Sequence, residues 1–295
     1  MTAITNATDT ASVGNVKQTE IISRLVRFAV ATPFIWQGFC YVPDLLVGTD
    51  VYKHPYWPQL TAAAAHTDTD LDNVEELIPA SDNTATTAEF SRAVALADRA
   101  ERLSTQPMLA VSVNRVIDAC MRKIEASALT LAASITTSQG GAATVHTQTN
   151  LVSVLSAFMA QGKSSQFAPV MISSVSANRD LLADLASNGA AVFGSAVGAQ
   201  MHATLSGTNQ GMFRDLGGLM MAVSDGVVAG DTTGKANFIV HVGESECAMV
   251  CAFGKAPSAE IARRGELLSN IVVGSVDFGV AIVNQNRAYR FVSRA

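Results

Sequence analysis

Charge is scarce in this 295-residue chain: Asp, Glu, Lys and Arg make up 15% of it, well below the usual quarter of a soluble domain. No extended run of lysine and arginine occurs, which argues against sequence-directed binding of nucleic acid. Aromatic residues are also few, at 6%. No apolar run is long enough to span a membrane. The most apolar early stretch, residues 28–41, is broken by Pro33 and Gln37 and follows Arg24 and Arg27. It is too short and too late for a secretion signal, so synthesis inside the cell, with no membrane partner, is the expectation. The cysteines are Cys40, Cys120, Cys247 and Cys251, and neither close pair has the C-x-x-C spacing of a zinc site. A reduced compartment fits such a set.

Catalytic motifs are missing too. Residues 243–247 read Gly-Glu-Ser-Glu-Cys, which is not the G-x-S-x-G of a nucleophile elbow and reads as a loop between strands. Nothing matches a phosphate-binding G-x-x-x-x-G-K-[ST]. Gly207, Gly211, Gly217 and Gly218 are too loosely spaced for a dinucleotide fingerprint and read as turn glycines. His54, His66, His146, His202 and His241 include no i, i+4 ligand pair. Asp68, Asp70 and Asp72 lack the glycine and distal glutamate of a calcium loop. They read as a solvated acidic loop, with a weak cation site as the alternative. No catalytic, cofactor-binding or metal residue, and no cofactor, is expected.

What the chain does have is a long helical pattern over residues 107–137. Leu109, Val113, Val116, Ile117, Cys120, Ile124, Ala128, Leu131 and Ile135 recur in steps of three and four, which lays them on one stripe. Ser104 or Thr105 is placed to cap its start, with Pro107 in the first turn, and Gly140 and Gly141 to end it. Such a helix would run about 45 Å. Before it, residues 1–20 are polar and have no core of their own. A short amphipathic helix is expected at 21–29, an aromatic strand at 34–42, and an extended, proline-bearing segment at 51–60. Residues 91–103 carry both strand alternation and helix-forming composition. The span 62–103 is a long excursion, and excursions of that length are usually functional or disordered.

After the long helix the pattern predicts a helix at 151–159, a strand at 168–174, and a helix at 178–186. Strands follow at 219–224, 238–242 and 247–253, the last placing Cys247 and Cys251 on one face. Met220, Met221 and Met249 are expected in the core. Residues 271–291 predict paired strands about the Asn284-Gln285-Asn286 turn. No internal repeat is present, and the class is α+β.

This order of elements resembles the major capsid proteins of tailed phages, with their Hong Kong 97-type fold. The residues that carry the resemblance are the glycine turn and strand at 215–225 (Asp-Leu-Gly-Gly-Leu-Met-Met-Ala-Val-Ser-Asp) and the closing strand at 278–284. The resemblance implies an N-terminal arm (1–30), peripheral-domain strands (31–65) and an extended loop (66–104). It implies a peripheral domain with a spine helix (105–163), an axial domain (164–266) and a return to the peripheral domain (267–295). It resolves 91–103 as a strand of the extended loop.

The function implied is a shell of many copies, as pentamers and hexamers, around double-stranded DNA held without sequence specificity. A mildly acidic wall suits that role, since it would repel phosphate. Portal, scaffold and cement proteins would be the other partners. The location would be the virion, after assembly in the host cytoplasm. An encapsulin-type nanocompartment shell is the alternative, and a soluble enzyme with an unrecognised site is a third.

Overall fold

The computed structural model describes residues 34–54, 84–104, 107–160, 169–187, 214–215, 219–230, 233–243, 247–265 and 268–295. The first elements are β1 (Val51–Lys53), β2 (Thr84–Thr86), β3 (Ala88–Ala97), α1 (Asp98–Leu103) and α2 (Met108–Thr130). Next come β4 (Ser138–Gly140), α3 (Gln148–Ala160), β5 (Val170–Ser174), α4 (Val175–Ser187) and β6 (Arg214–Asp215). The chain continues through β7 (Met220–Ser224), β8 (Lys235–Val240), β9 (Met249–Arg264), β10 (Ser269–Ile282) and β11 (Ala288–Ser293). The expected helix at 21–29, the acidic run Asp68, Asp70, Asp72, and His66, His202, Gly207, Gly211, Gly217 and Gly218 lie outside the described residues. So do Thr105 and residues 244–246.

The long helix is present as α2, shorter than its pattern suggested: its 23 residues span about 35 Å. It buries Ser112, Val116, Cys120, Ile124 and Ala128, one per turn. A single 3-10 turn, Leu131–Ser134, then carries the stripe as far as buried Ile135. The cause is local chemistry. Thr130 Oγ1 donates to the Ala126 carbonyl at 2.6 Å and Ser134 Oγ to that of Leu131 at 2.7 Å, so hydroxyls compete with the helical ladder. No side chain caps the start, where Pro107 holds the N-cap position. Gly140 lies in β4 rather than ending the helix.

The helix lies across a three-stranded antiparallel sheet of order β3-β10-β9. At Gly274 of β10 the helix approaches closely: a Cβ there would sit 2.3 Å from Val116 Cγ1. The ambiguity at 91–103 resolves into both answers, strand to Ala97 and helix from Asp98. β3 pairs along its whole length with β10, from Ala88 opposite Phe278 to Ala97 opposite Ser269.

A six-stranded sheet of order β4-β11-β8-β5-β7-β6 forms the second layer. Its period-two side chains feed two cores. Met171, Met221, Ile239 and Phe291 pack with Leu151, Val154 and Phe158 of α3 and Leu181 of α4. Val170, Ile172, Ala222, Phe238 and Val240 face the other way, into the core shared with α2 and the three-stranded sheet. Met220 is exposed, not buried.

Three further expectations are corrected. Residues 34–42 do not form a strand: Ile35, Trp36, Phe39 and Cys40 are buried, a helical spacing, around a 3-10 turn at Trp36–Gly38. That turn is held from outside, because the Glu125 carboxylate accepts the N–H groups of Ile35 (3.2 Å) and Trp36 (3.0 Å). Strands β10 and β11 do not pair with each other. The Asn284 turn hands the chain from the three-stranded to the six-stranded sheet, where β11 joins β4 and β8. Finally, Cys247 precedes β9 and packs with Val250 and Ala252, while Cys251 packs with Met249 and Phe253 in the main core. The two thiols face different cores because strand alternation governs Cys251 and not Cys247.

Candidate assembly surfaces

The histidines and cysteines of the sequence do not gather into a reactive centre among the described residues. His54 sits 3.5 Å from Cys247 Sγ by Nε2 and 3.2 Å from the Tyr52 hydroxyl by Nδ1. Burial pushes the Cys247 thiol up to about 12, so this Cys–His contact holds a neutral thiol and no nucleophile. Burial pushes Cys251 up to about 12 as well, and raises Cys40 and Cys120. The His241 ring packs on Phe158 at 4.7 Å between centroids, and His146 on Phe291 at 5.0 Å. Among the described residues no group of three metal-ligating side chains occurs, and no helix is long and apolar enough to cross a membrane.

What the fold presents instead is open surface. Helix α2 covers one face of the three-stranded sheet, where Val272, Val276 and Phe278 are buried. The opposite face carries register rows of small and mixed residues: Ile271 between Ala95 and Ala262, Val273 between Ala93 and Glu260, Ser275 between Ser91 and Ser258. Ala93, Ser91, Glu260 and Ala262 there are exposed. At the far end of this sheet a cavity of about 620 Å³ is lined by Asp98, Arg99, Glu101, Arg102, Arg263 and Asn270, among others. The Arg263 guanidinium grips the Asp98 carboxylate with two contacts, one of 2.5 Å. This hydrogen bonding holds the Asp98 carboxyl below its ordinary range. Asn270 Nδ2 donates to Glu101 Oε2 at 3.1 Å.

No protein-family model matches this sequence, and no curated protein sequence matches it. Solved structures do match in shape. The capsid structure of cyanophage P-SCSP1u aligns over 90% of this chain and 90% of its own, with a TM-score of 0.63 at 13% identity. The capsid of Myoviridae phage XM1 aligns over 89% of this chain and 92% of its own, with a TM-score of 0.63 at 10% identity. The capsid of Ralstonia phage GP4 covers 84% and 85%, again at 0.63, with 10% identity. The chain has the Hong Kong 97-type capsid fold.

Within this capsid fold the polar residues that matter most were invisible to local sequence reading. Asp180 of α4 accepts two 2.7 Å bonds from Arg294, which hold its carboxyl below the usual range. Asn237 of β8 ties three strands together at one end of the six-stranded sheet. Its Oδ1 accepts from Ser174 N (2.7 Å), and its Nδ2 donates to Ser293 Oγ (2.8 Å) and the Phe291 carbonyl (3.2 Å). Each of these three partners lies more than fifty residues away, so no spacing pattern announces them.

His146 gives the capsid fold a pH dependence. Burial lowers its pKa from 6.5 to about 4, with Asp180 opposing the shift. The folded chain therefore keeps this ring neutral while the unfolded chain takes up a proton as pH falls below 6.5. Stability is intact above that value and declines toward pH 4, by on the order of 3 kcal/mol. Glu125, whose pKa burial raises, acts with the opposite sign. The two are separated by comparing urea midpoints of wild type and His146→Leu at pH 7.5 and 4.5. The substitution should flatten the pH dependence. Equal acid sensitivity in both proteins would contradict the assignment.

Proposed function

We propose that this chain is a major capsid protein of a tailed phage, many copies of which assemble into an icosahedral head shell around double-stranded DNA. The observation that carries this reading is the fold match over most of both chains to several phage capsid structures. Two features support it. Among the described residues the face of the three-stranded sheet away from α2 carries exposed Ser91, Ala93, Glu260 and Ala262, a surface for neighbours, and a chain poor in charge loses little on burying such surface. In this reading copies form pentamers and hexamers, and a portal, with scaffold or cement proteins, completes the head. The packaged DNA is held without sequence specificity. The protein resides in the virion after assembly in the host cytoplasm.

The domain division follows the two sheets. Residues 1–30 form the arm. Helix α2 with the three-stranded sheet forms the peripheral domain, α2 being its spine. The six-stranded sheet with α3 and α4 forms the axial domain, which includes the closing strand β11. In this reading the extended loop spans residues 66–104 and includes β3, which pairs along its length with β10.

Purified protein at increasing concentration and crowding should form capsomers or shells far larger than its 30.9 kDa chain, read by light scattering and negative stain. A monodisperse monomer under all conditions would sink the reading. Nuclease-protected DNA inside the particles separates a phage head from an encapsulin-type compartment, which would hold a cargo protein.

Covalent cross-linking of the kind found in the founding capsid should be absent. That chemistry joins a lysine of the extended loop to an asparagine of a neighbour. Here no lysine occurs between Lys53 and Lys123, and an arginine stays protonated and cannot attack an amide. Boiled, reduced particles should run as one single-chain band on a denaturing gel. A surviving ladder of multimers would show the chemistry argument to be wrong.

A further inference from the structure

Basic side chains gather along β3, α1 and α2. Residues 91–124 hold Arg92, Arg99, Arg102, Arg115, Arg122 and Lys123, against the acids Asp98, Glu101 and Asp118. All three acids are engaged. Asp98 is gripped by Arg263, Glu101 accepts from Asn270, and Asp118 pairs with Arg122 at 2.6 Å. Arg92, Arg99, Arg102 and Arg115 are exposed and enter no salt bridge among the described residues. This local surplus of positive charge runs against the whole chain's net −5.

Strand register sets these residues in a row. Arg92 stands opposite Gly274, the glycine that meets Val116, so it leaves β3 on the face that α2 covers. Lys123 lies over the Phe90 ring, 4.9 Å from its centroid, and Phe90 stands opposite Val276. Helix α2 therefore runs along β10 from the cavity end, at Asn270, toward Val276, a distance of about 20 Å. Arg99 and Arg102 line the cavity at one end, Lys123 marks the other, and Arg92 and Arg115 lie between, at the level of Gly274. The flanking acids do not interrupt the row. Glu89 leaves β3 on the opposite face from Phe90, and Glu125 holds the Trp36 turn.

Spaced cations without carboxylate partners suit a line of phosphates. Duplex DNA shows one phosphate per strand about every 3.4 Å of its axis, so about six of one strand would face a row of 20 Å. The exposed residues that punctuate α2, Ala110, Asn114 and Ala126, offer no apolar pocket to anchor an acidic peptide. We propose that the row Arg99, Arg102, Arg92, Arg115 and Lys123 binds the phosphate backbone of duplex DNA without reading its bases. The inference rests on the shell reading for the presence of DNA, and it assigns that DNA a surface.

Fluorescence anisotropy of a labelled DNA duplex, titrated with full-length unassembled protein at about 20–150 mM salt, tests it. R92Q/R115Q removes two charges from the row. K53Q/R179Q removes two exposed charges from β1 and α4 and serves as the matched control; circular dichroism checks that each variant folds. Wild-type affinity should fall steeply with salt. R92Q/R115Q should bind about tenfold more weakly and lower the slope of log affinity against log salt by about two. The control should match wild type, and duplexes of unrelated sequence should bind alike.

Equal losses in both variants, or no loss in R92Q/R115Q, would overturn the proposal. So would a tenfold preference for one DNA sequence, or polyglutamate of matched charge binding this row more tightly than DNA does. Negative stain of the same samples reads the shell separately. Particles from a protein that shows no row-dependent DNA binding would leave the shell reading standing and defeat the proposal. Row-dependent binding by a protein that never assembles would defeat the shell reading and leave the phosphate surface standing.

Discussion

Expression of Ile124→Pro should yield no soluble folded protein under conditions where wild type is abundant. Ile124 is fully buried at the middle of α2. Proline there removes the N–H that bonds one turn back and drives its ring into the Cys120 carbonyl, at a cost of about 3 kcal/mol or more. The missing side chain vacates space between the two sheets, adding about 2 kcal/mol or more. The neighbouring Glu125 would move with the kink, and with it the carboxylate that holds the Trp36 turn. Against a typical total of 5–15 kcal/mol, the sum removes most of the stability. Ile117→Pro, on the half-buried flank of the same helix, should act in the same direction with a smaller packing loss. Normal soluble yield of Ile124→Pro, with a wild-type far-UV spectrum, would refute the role given to this helix.

Asn237→Ala should lower the melting temperature by about 5 °C. The residue is fully buried and serves four groups: Ser174 N, the carbonyls of Lys235 and Phe291, and the Ser293 hydroxyl. Alanine leaves at least the Ser174 N–H without its acceptor in a dry interior. An abandoned buried donor or acceptor costs about 1–3 kcal/mol each. A total of about 3 kcal/mol corresponds to roughly this shift in a chain of this size. A thermal melt followed by circular dichroism measures it. A change of less than about 2 °C would mean that the three strands hold together without the amide.

Helix α2 was legible in the sequence because its signal is local. Val116, Cys120, Ile124 and Ala128 repeat at one turn, and any helix long enough to form must bury that stripe. β5 was legible for a similar reason: Val170, Met171 and Ile172 form a short apolar run that only a doubly covered strand accommodates. Residues 34–42 were misread because four aromatics suggest a strand. What bends them into a turn is a carboxylate about ninety residues away. Residues 271–291 were misread because a turn between two strands normally makes a hairpin, whereas here Asn284 caps a turn that changes sheets.

The arginine-lined cavity was equally hidden. Its walls come from β3, α1 and the ends of β9 and β10, more than 150 residues apart. Arg263 and Asp98 meet only because β3 and β9 both pair with β10.

By itself the sequence determined the long helix, the α+β class, the scarcity of charge and the lack of any known catalytic motif, since each is a matter of composition or short-range period. It also supported the resemblance to a capsid fold through element order. Only the tertiary structure decided which sheet each strand joins, where α2 stops being a regular helix, and which polar side chains are buried together. The physical reason is that backbone hydrogen bonds between strands carry no residue identity. A strand's partner is therefore chosen by the packing of both its faces, as Met171 and Ile172 choose opposite cores, and that choice exists only once the whole chain is folded.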